Sequence, residues 1–165
     1  MSKQLEVDKK IFDWEGLRTQ VGIWKDEGKK IVFTNGCFDL LHRGHVDYLV
    51  KAADLGDVLV LGLNSDASVS RLKGPQRPVQ DEQSRLHILA SLAFVDAVVL
   101  FDEATPFELI TLVQPDVLVK GSDYKPEEIV GFDIVNAKGG TVKTIDFIEG
   151  YSSSLMIKKI KEGSD

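Results

Sequence analysis

One hundred and sixty-five residues suffice to bury a single core without disulfide staples, and 43% hydrophobic against 28% charged residues is a folded, water-compatible composition. Twenty basic against twenty-six acidic side chains leave a formal charge of −6, which excludes broad binding to nucleic acid while permitting a local basic pocket. A single cysteine excludes an internal disulfide framework and a cysteine-based zinc site.

The polar start MSKQLEVDKK lacks a signal-peptide core, and no apolar run approaches the roughly 18 residues of a membrane span. A cytoplasmic protein with no membrane partner is therefore expected. Residues 1–10 are expected as a flexible tail and 11–165 as one domain. Trp14, Leu17, Val21 and Trp24 recur at helical spacing, and Gly28 stops that helix. Their face is expected to serve packing.

Ile31–Thr34 then reads as a buried strand, Gly44–Leu55 as a helix ended by Gly56, and Val58–Leu63 as a second strand. A short helix over Ala67–Leu72 precedes a loop at Lys73-Gly74-Pro75-Gln76-Arg77-Pro78, where Gly and Pro break both periods. Asp81–Ala93 reads as a helix, Ala97–Phe101 as a strand and Pro106–Val113 as a helix opening on proline. Val117–Lys120 is a strand, Glu127–Ala137 a weaker helix broken by Gly131, Thr141–Ile145 the last strand and Leu155–Ile160 a final amphipathic helix.

Continuously apolar strands separated by helices indicate a parallel sheet covered on both faces. The expected fold is a single doubly wound, Rossmann-like α/β domain with a five-stranded parallel sheet. Ligands of such sheets bind beyond the carboxyl ends of the strands, where the strand order reverses. The informative loops are thus those after Thr34, Leu63, Phe101, Lys120 and Ile145.

Neither a Walker-type G-x-x-x-x-G-K-[ST] nor a G-x-G-x-x-G after the first strand is present. The first strand instead runs into Thr34-Asn35-Gly36-Cys37-Phe38-Asp39-Leu40-Leu41-His42-Arg43-Gly44-His45. Two of the three histidines lie three residues apart where a loop enters a helix. Unpaired amides and the positive dipole end of a first turn suit an anion. Gly44 leaves the backbone open to a phosphate, and two imidazoles can donate to its oxygens, the more strongly when protonated. Capping or filling the helix surface is the bland alternative for this pair. A metal site has only Asp39 as a nearby carboxylate, so no ion is expected on protein ligands alone.

The stretch Gly36–His45 resembles the G-x-F-D-x-x-H-x-G-H signature of the cytidylyltransferase-like nucleotidyltransferases. The similarity continues through Leu63-Asn64-Ser65-Asp66, Arg71–Gly74, Arg77-Pro78-Val79, Arg85, Leu118–Tyr124 and Gly150–Ser154. Within that superfamily the chain most resembles the adenylyltransferases that make ADP-heptose from D-glycero-β-D-manno-heptose 1-phosphate, above all over Val119–Ile129. It departs from the glycerol-3-phosphate and phosphocholine cytidylyltransferases, which carry an arginine in the segment that here reads Phe147-Ile148-Glu149-Gly150-Tyr151-Ser152-Ser153-Ser154.

The resemblance implies a nucleotidyltransferase fold and transfer of AMP from ATP to the sugar phosphate, feeding lipopolysaccharide or other surface polysaccharide. A CTP-dependent enzyme acting on glycerol 3-phosphate and a nucleotide-binding protein without turnover are the rivals. The resemblance makes His42, His45 and Lys73 catalytic. It assigns Asn35, Gly36, Cys37, Phe38, Asp39, Gly44, Arg85, Lys120, Gly121, Asp123, Tyr151, Ser152, Ser153 and Ser154 to the nucleotide. Asn64, Asp66 and Arg77 fall to the sugar phosphate. Mg²⁺ is expected on ATP phosphates, with Asp39 as a candidate contact. A homo-oligomer and a separate heptose kinase and phosphatase are the implied partners.

Some of these residues have plainer readings. Lys73 and Arg85 could be solvated charges, Arg85 paired with Glu82 one turn away. The three serines are expected to cap the last helix as well as meet phosphates. Lys120, ending a buried strand, should face the cleft, whereas His87 is expected to be surface or core filler.

Overall fold

The computed structural model describes residues 1–163. Six parallel strands among them form one sheet: β1 (Ile11–Phe12), β2 (Ile31–Gly36), β3 (Val58–Asn64), β4 (Ala97–Phe101), β5 (Val117–Gly121) and β6 (Thr141–Ile145), in the order β1-β4-β3-β2-β5-β6. The expected count of five was one short. The added edge strand has two residues, too few to carry a period, and exists because Ile11 and Phe12 align with Val98 and Val99. The Val98 N–H donates to the Lys10 carbonyl at 2.8 Å. Residues expected as a tail carry a short helix, α1 (Lys3–Asp8), capped by Ser2.

Two apolar layers sandwich the sheet. On one face lie α2 (Trp14–Asp26), α6 (Phe107–Val113) and α7 (Phe132–Ala137), which bury Leu17, Val21, Leu109, Ile110, Val113 and Val135 against Phe33, Val60 and Val99. The opposite face takes α3 (Arg43–Ala53) and α5 (Glu82–Ala90), with Tyr48, Leu49, Leu86 and Leu89 on Leu59, Leu61 and Val98. Each such fully buried side chain stabilises the fold by about 1.5–3 kcal/mol relative to exposure. The Trp14/Trp24 face is packing, as expected: Trp14 donates its indole N–H to the Leu100 carbonyl at 2.9 Å, and Trp24 meets Phe12 edge-on.

The weak helical stretch at 127–137 resolves into a 3₁₀ turn (Pro126–Glu128) and α7, divided at Gly131. Gly131 has φ +91°, and a Cβ there would stand 2.8 Å from Ile110, so no other residue fits comfortably. Two further helices, α4 (Asp66–Lys73) and α8 (Ser153–Glu162), flank the carboxyl edge of the sheet. No helix among the described residues is long and apolar enough to cross a membrane.

The topology places a crevice. From β2 the chain winds outward to β3 and β4, then crosses back to β5 and β6, so its direction reverses between β2 and β5. Pairing between those two strands stops at Phe33 with Leu118. Beyond it Asn35-Gly36 and Lys120-Gly121 part, as the switch-point rule requires. The Tyr48 hydroxyl donates to Thr34 Oγ1 at 2.8 Å, and Thr34 donates to the Val119 carbonyl at 3.0 Å, closing the floor of the opening.

Candidate active site

His42 is the N-cap of α3 and His45 its third residue. The His45 N–H points at His42 Nδ1 (3.4 Å) and the His42 N–H at His45 Nδ1 (3.3 Å), a capping box made of two imidazoles. Their rings stack at 3.8 Å between centroids. Because each Nδ1 accepts a backbone proton, each neutral ring carries its own proton on Nε2. Capping and ligand binding are thus served by opposite edges of the same ring.

Burial pushes the His42 imidazolium pKa down. His45 is pushed down to about 4, by burial first and then by His42 and Lys73. Burial thus favours the neutral rings in the free protein, each with an Nε2–H free to donate. Gly44 serves this stack: a Cβ there would lie 2.9 Å from His42 Cε1 and 3.0 Å from Tyr151 Cβ. Its lack of a side chain admits the His42 ring and Tyr151, not only a phosphate. Phe38, with φ 45°, tucks its ring against Gly36 and meets His45 edge-on at 5.5 Å.

Asp39 is buried and fully engaged. It pairs with Arg77 Nε at 2.7 Å and accepts from Val79 N–H (2.9 Å) and Gln80 N–H (3.0 Å). Burial alone would raise its carboxyl; the Gln80 and Val79 amides with Arg77 outweigh that and hold it below its ordinary value. Asp39 therefore docks the 77–80 turn on the motif loop and has no oxygen turned to an ion. Ser70 fastens the same turn through the Arg77 carbonyl at 2.6 Å.

Arg85 departs from both of its readings. It is 1% exposed. Its Nε donates to Gln80 O (2.9 Å), Nη1 to Cys37 O (2.9 Å) and Asn64 O (2.7 Å), and Nη2 to Asp66 (2.7 Å). Glu82, its expected partner, instead accepts from the Asp66 N–H at 2.9 Å. Arg85 is a staple through three loops, neither a phosphate ligand nor a surface charge. Asp66 is tied to it: its half-exposed carboxylate pairs with Arg85 at 2.7 Å. Asn64 is buried and donates to Ser68 at 2.9 Å, yet still lines the crevice. His87 lies at the surface, its Nδ1 2.7 Å from the Gln83 carbonyl oxygen.

On the other flank Lys120 sets its ammonium 3.3 Å from Asn35 Oδ1 and 6.0 Å above the Tyr124 ring. Burial lowers its pKa, while Cys37 and Asp123 act in the opposite sense. Gly121 makes room for Phe147, whose ring would stand 2.2 Å from a Cβ there and stacks on Tyr48 at 5.4 Å. Ser152 caps α8 by accepting the Leu155 N–H at 3.2 Å, as expected, and Ser153 donates to the Leu40 carbonyl at 2.9 Å. The Tyr151 ring lies 6.2 Å from that of His42.

These groups line three neighbouring cavities. One of about 290 Å³ is walled by His42, His45, Lys73, Arg77 and Tyr151–Ser154. A narrower recess of about 190 Å³ lies between Tyr48, Phe147, Tyr124, Gly121 and Asp123. The third, about 500 Å³, opens on the α6–α7 side, between Asn35, Asn64, Lys73, Thr105, Lys120 and Glu128. Cys37 borders all three. Burial raises its thiol pKa, against the pull of Lys73, Arg85, Lys120 and Arg77. A protein of net charge −6 thus sets Lys73, Arg77 and Lys120 around this crevice. Sequence reasoning missed Tyr48, Thr105, Tyr124, Glu128 and Phe147 as lining residues. Tyr124 and Glu128 carried a signal, their place in the Val119–Ile129 stretch, and Phe147 opens the segment that runs to Ser154.

Residues 33–159 match the family model described as cytidylyltransferase-like. The chain is 58% identical over 156 residues to the bifunctional protein HldE of Syntrophotalea carbinolica, covering 94% of this chain and 32% of that one. It is 52% identical over 155 residues to HldE of Magnetococcus marinus, again covering 94% and 32%. The chain therefore spans about a third of the length of these relatives. Among solved structures, the lipopolysaccharide core biosynthesis protein of Thermoplasma volcanium is 33% identical with a TM-score of 0.59, over 76% of this chain and all of that one. The pantoate-beta-alanine ligase of Francisella tularensis, 17% identical with a TM-score of 0.56 over 82% of this chain and 66% of its own, shares the fold.

Proposed function

The chain belongs to the cytidylyltransferase-like family, and we propose that it transfers AMP from ATP to D-glycero-β-D-manno-heptose 1-phosphate, releasing ADP-heptose and pyrophosphate. The likeness to HldE proteins and to a lipopolysaccharide core biosynthesis protein supports the saccharide direction. The observation that carries the chemistry is the histidine capping box, which leaves two Nε2–H donors at a helix N-terminus beside Lys73.

The triphosphate occupies the cavity of His42, His45, Arg77 and Ser152–Ser154, and the nucleoside extends into the recess of Tyr48, Phe147 and Tyr124, whose flat walls suit a base. The sugar phosphate occupies the large cavity. Lys73 borders both phosphate sites and holds donor and acceptor phosphates together against their repulsion.

An oxygen of the acceptor phosphate attacks the α-phosphorus; the new P–O bond forms as the bond to the β-phosphate breaks, and its electrons leave on pyrophosphate. The acceptor, with a second pKa near ~6, is already largely dianionic at pH 7, so no general base is required. The Nε2–H groups and Lys73 meet the charge that builds on the phosphoryl oxygens. Mg²⁺ bound together with ATP would supply charge neutralisation at the phosphates. The ion would offset the pyrophosphate charge. Asp39 stays a positioning residue.

The same reading sets the enzyme in the cytoplasm as a homo-oligomer, with a heptose kinase and a phosphatase supplying the acceptor. Pyrophosphate release from ATP or CTP across a panel of sugar and polyol phosphates tests the assignment. Turnover is expected with ATP and heptose 1-phosphate. Turnover with CTP and glycerol 3-phosphate alone would overturn it, as would tight ATP binding with no turnover of any acceptor.

A further inference from the structure

A cavity of about 500 Å³ opens at the opposite end of the sheet from the crevice, where β2, β5 and β6 begin and α2 and α7 end. Lys25, Lys29, Lys30 and Lys138 line it, against one carboxylate, Asp116. In a chain of net charge −6 this reverses the overall sign. Asp116 is committed to the fold: its Oδ2 accepts the Ile31 N–H at 2.8 Å, and its Oδ1 lies 3.4 Å from Lys138 Nζ. Lys29 pairs with Glu27 at 3.0 Å. Among the described residues, no hydrogen bond or ion pair holds the ammonium of Lys25 or Lys30. Partial burial lowers the Lys25 pKa, the like charge of Lys138 lowers it further, and Asp116 acts in the opposite sense.

Lysines near a helix C-terminus ordinarily serve its dipole and its open carbonyls. Here backbone amides do the closing. At the end of α2, Gly28 N–H donates to the Lys25 carbonyl (3.0 Å) and Lys29 N–H to that of Trp24 (2.9 Å). At the end of α7, Gly139 N–H donates to the Asn136 carbonyl (3.0 Å) and Gly140 N–H to that of Val135 (2.9 Å). Lys138 reaches the carbonyl of Gln114, at the end of α6, which leaves Lys25 and Lys30 uncommitted. Gly28 and Gly139 keep the rim open, since a Cβ at either would meet nothing within 4 Å. No aromatic ring lines the cavity among the described residues, so nothing there stacks a base. Like-charged ammonium groups gathered in this way are neutralised by a polyvalent oxyanion, which accepts charge-assisted hydrogen bonds from each. We propose that this cavity is a second anion site, taking an inorganic oligophosphate of the pyrophosphate class through Lys25, Lys30 and Lys138. The six residues of β2, at about 3.3 Å each, set it about 20 Å from the histidine pair.

The experiment titrates ¹⁵N-labelled protein with sodium pyrophosphate at constant ionic strength and follows the backbone amides by NMR. The amides of Gly28, Lys29, Gly139 and Gly140 should shift and saturate as one set, apart from those of Gly44 and His45 at the crevice. Lys25→Gln and Lys30→Gln should each weaken binding at this set about fivefold, and more than tenfold together, the scale of exposed charge contacts. The crevice set and the rate of pyrophosphate release from ATP should stay unchanged in these variants. Orthophosphate should bind the set more weakly than pyrophosphate, and higher salt should weaken both. Tripolyphosphate should bind it at least as tightly as ATP. Shifts that fail to saturate, or that persist undiminished in the folded double variant, would mean an adventitious ion only and overturn the site. Tighter binding of ATP than of tripolyphosphate at these amides would overturn the inorganic class of the ligand.

Discussion

His42 and His45 show how three residues of spacing become chemistry. That spacing puts both on the first turn of α3, and the reciprocal Nδ1 contacts then fix which nitrogen faces outward. Replacing either ring with alanine should lower kcat by about 10²–10³ while ATP binding persists, read by pyrophosphate release beside calorimetry. The depressed His45 pKa has a consequence for stability. An unfolded His45 binds a proton below about pH 6.5, and the folded one only near pH 4. Its contribution is therefore complete above pH 6.5 and is lost as pH falls toward 4. Thermal melts of the unaltered protein should lose more Tm between pH 7 and pH 4.5 than melts of His45→Asn; equal losses would contradict the burial. The pair was readable from sequence, because loop-to-helix position and spacing are local. The role of Arg85 was not. Its i,i+3 neighbour Glu82 suggested a surface pair, and only the tertiary approach of the loops at Cys37, Asn64 and Gln80 turns it inward.

Helices and loops around the crevice depend on a few close approaches. Gly44 is one: a methyl group there must displace His42 or Tyr151. Gly44→Ala should therefore cut kcat at least about tenfold with a Tm change of only a few degrees, since helix α3 itself gains from alanine. Arg85 is another. Four of its five guanidinium N–H groups are used, on loops from β2, β3 and the 77–80 turn. Arg85→Ala leaves three carbonyls and Asp66 without their donor and should cost about 3 kcal/mol or more, measured by denaturant unfolding. A loss of activity at unchanged stability would instead make Arg85 a substrate ligand. Strands β2 to β6 were readable because they are short apolar runs between helices with clear stops. Strand β1 escaped: its two residues pair with β4 by backbone bonds that no side-chain pattern announces. The 3₁₀ turn and Gly131 likewise blurred one helix into two pieces.

The doubly wound sheet fixes where ligands go: crossing back from β4 to β5 parts the tips of β2 and β5, and the motif loop lies at that gap. Apolar alternation with helices was enough to infer this architecture, whereas the division of the crevice into three cavities was not. That division comes from Phe147, Tyr48 and Tyr124 lining one recess from distant segments, and from Glu128 of the 3₁₀ turn lining the large cavity. The proposed chemistry requires the histidine pair to hold the α- and β-phosphates of ATP at the head of α3. A crystal structure with a non-hydrolysable ATP analogue tests it most directly. Both Nε2 atoms should lie about 3 Å from phosphate oxygens, with the base against Tyr48 and Phe147. A nucleotide seated elsewhere, or held with its phosphates away from both rings, would contradict the claim.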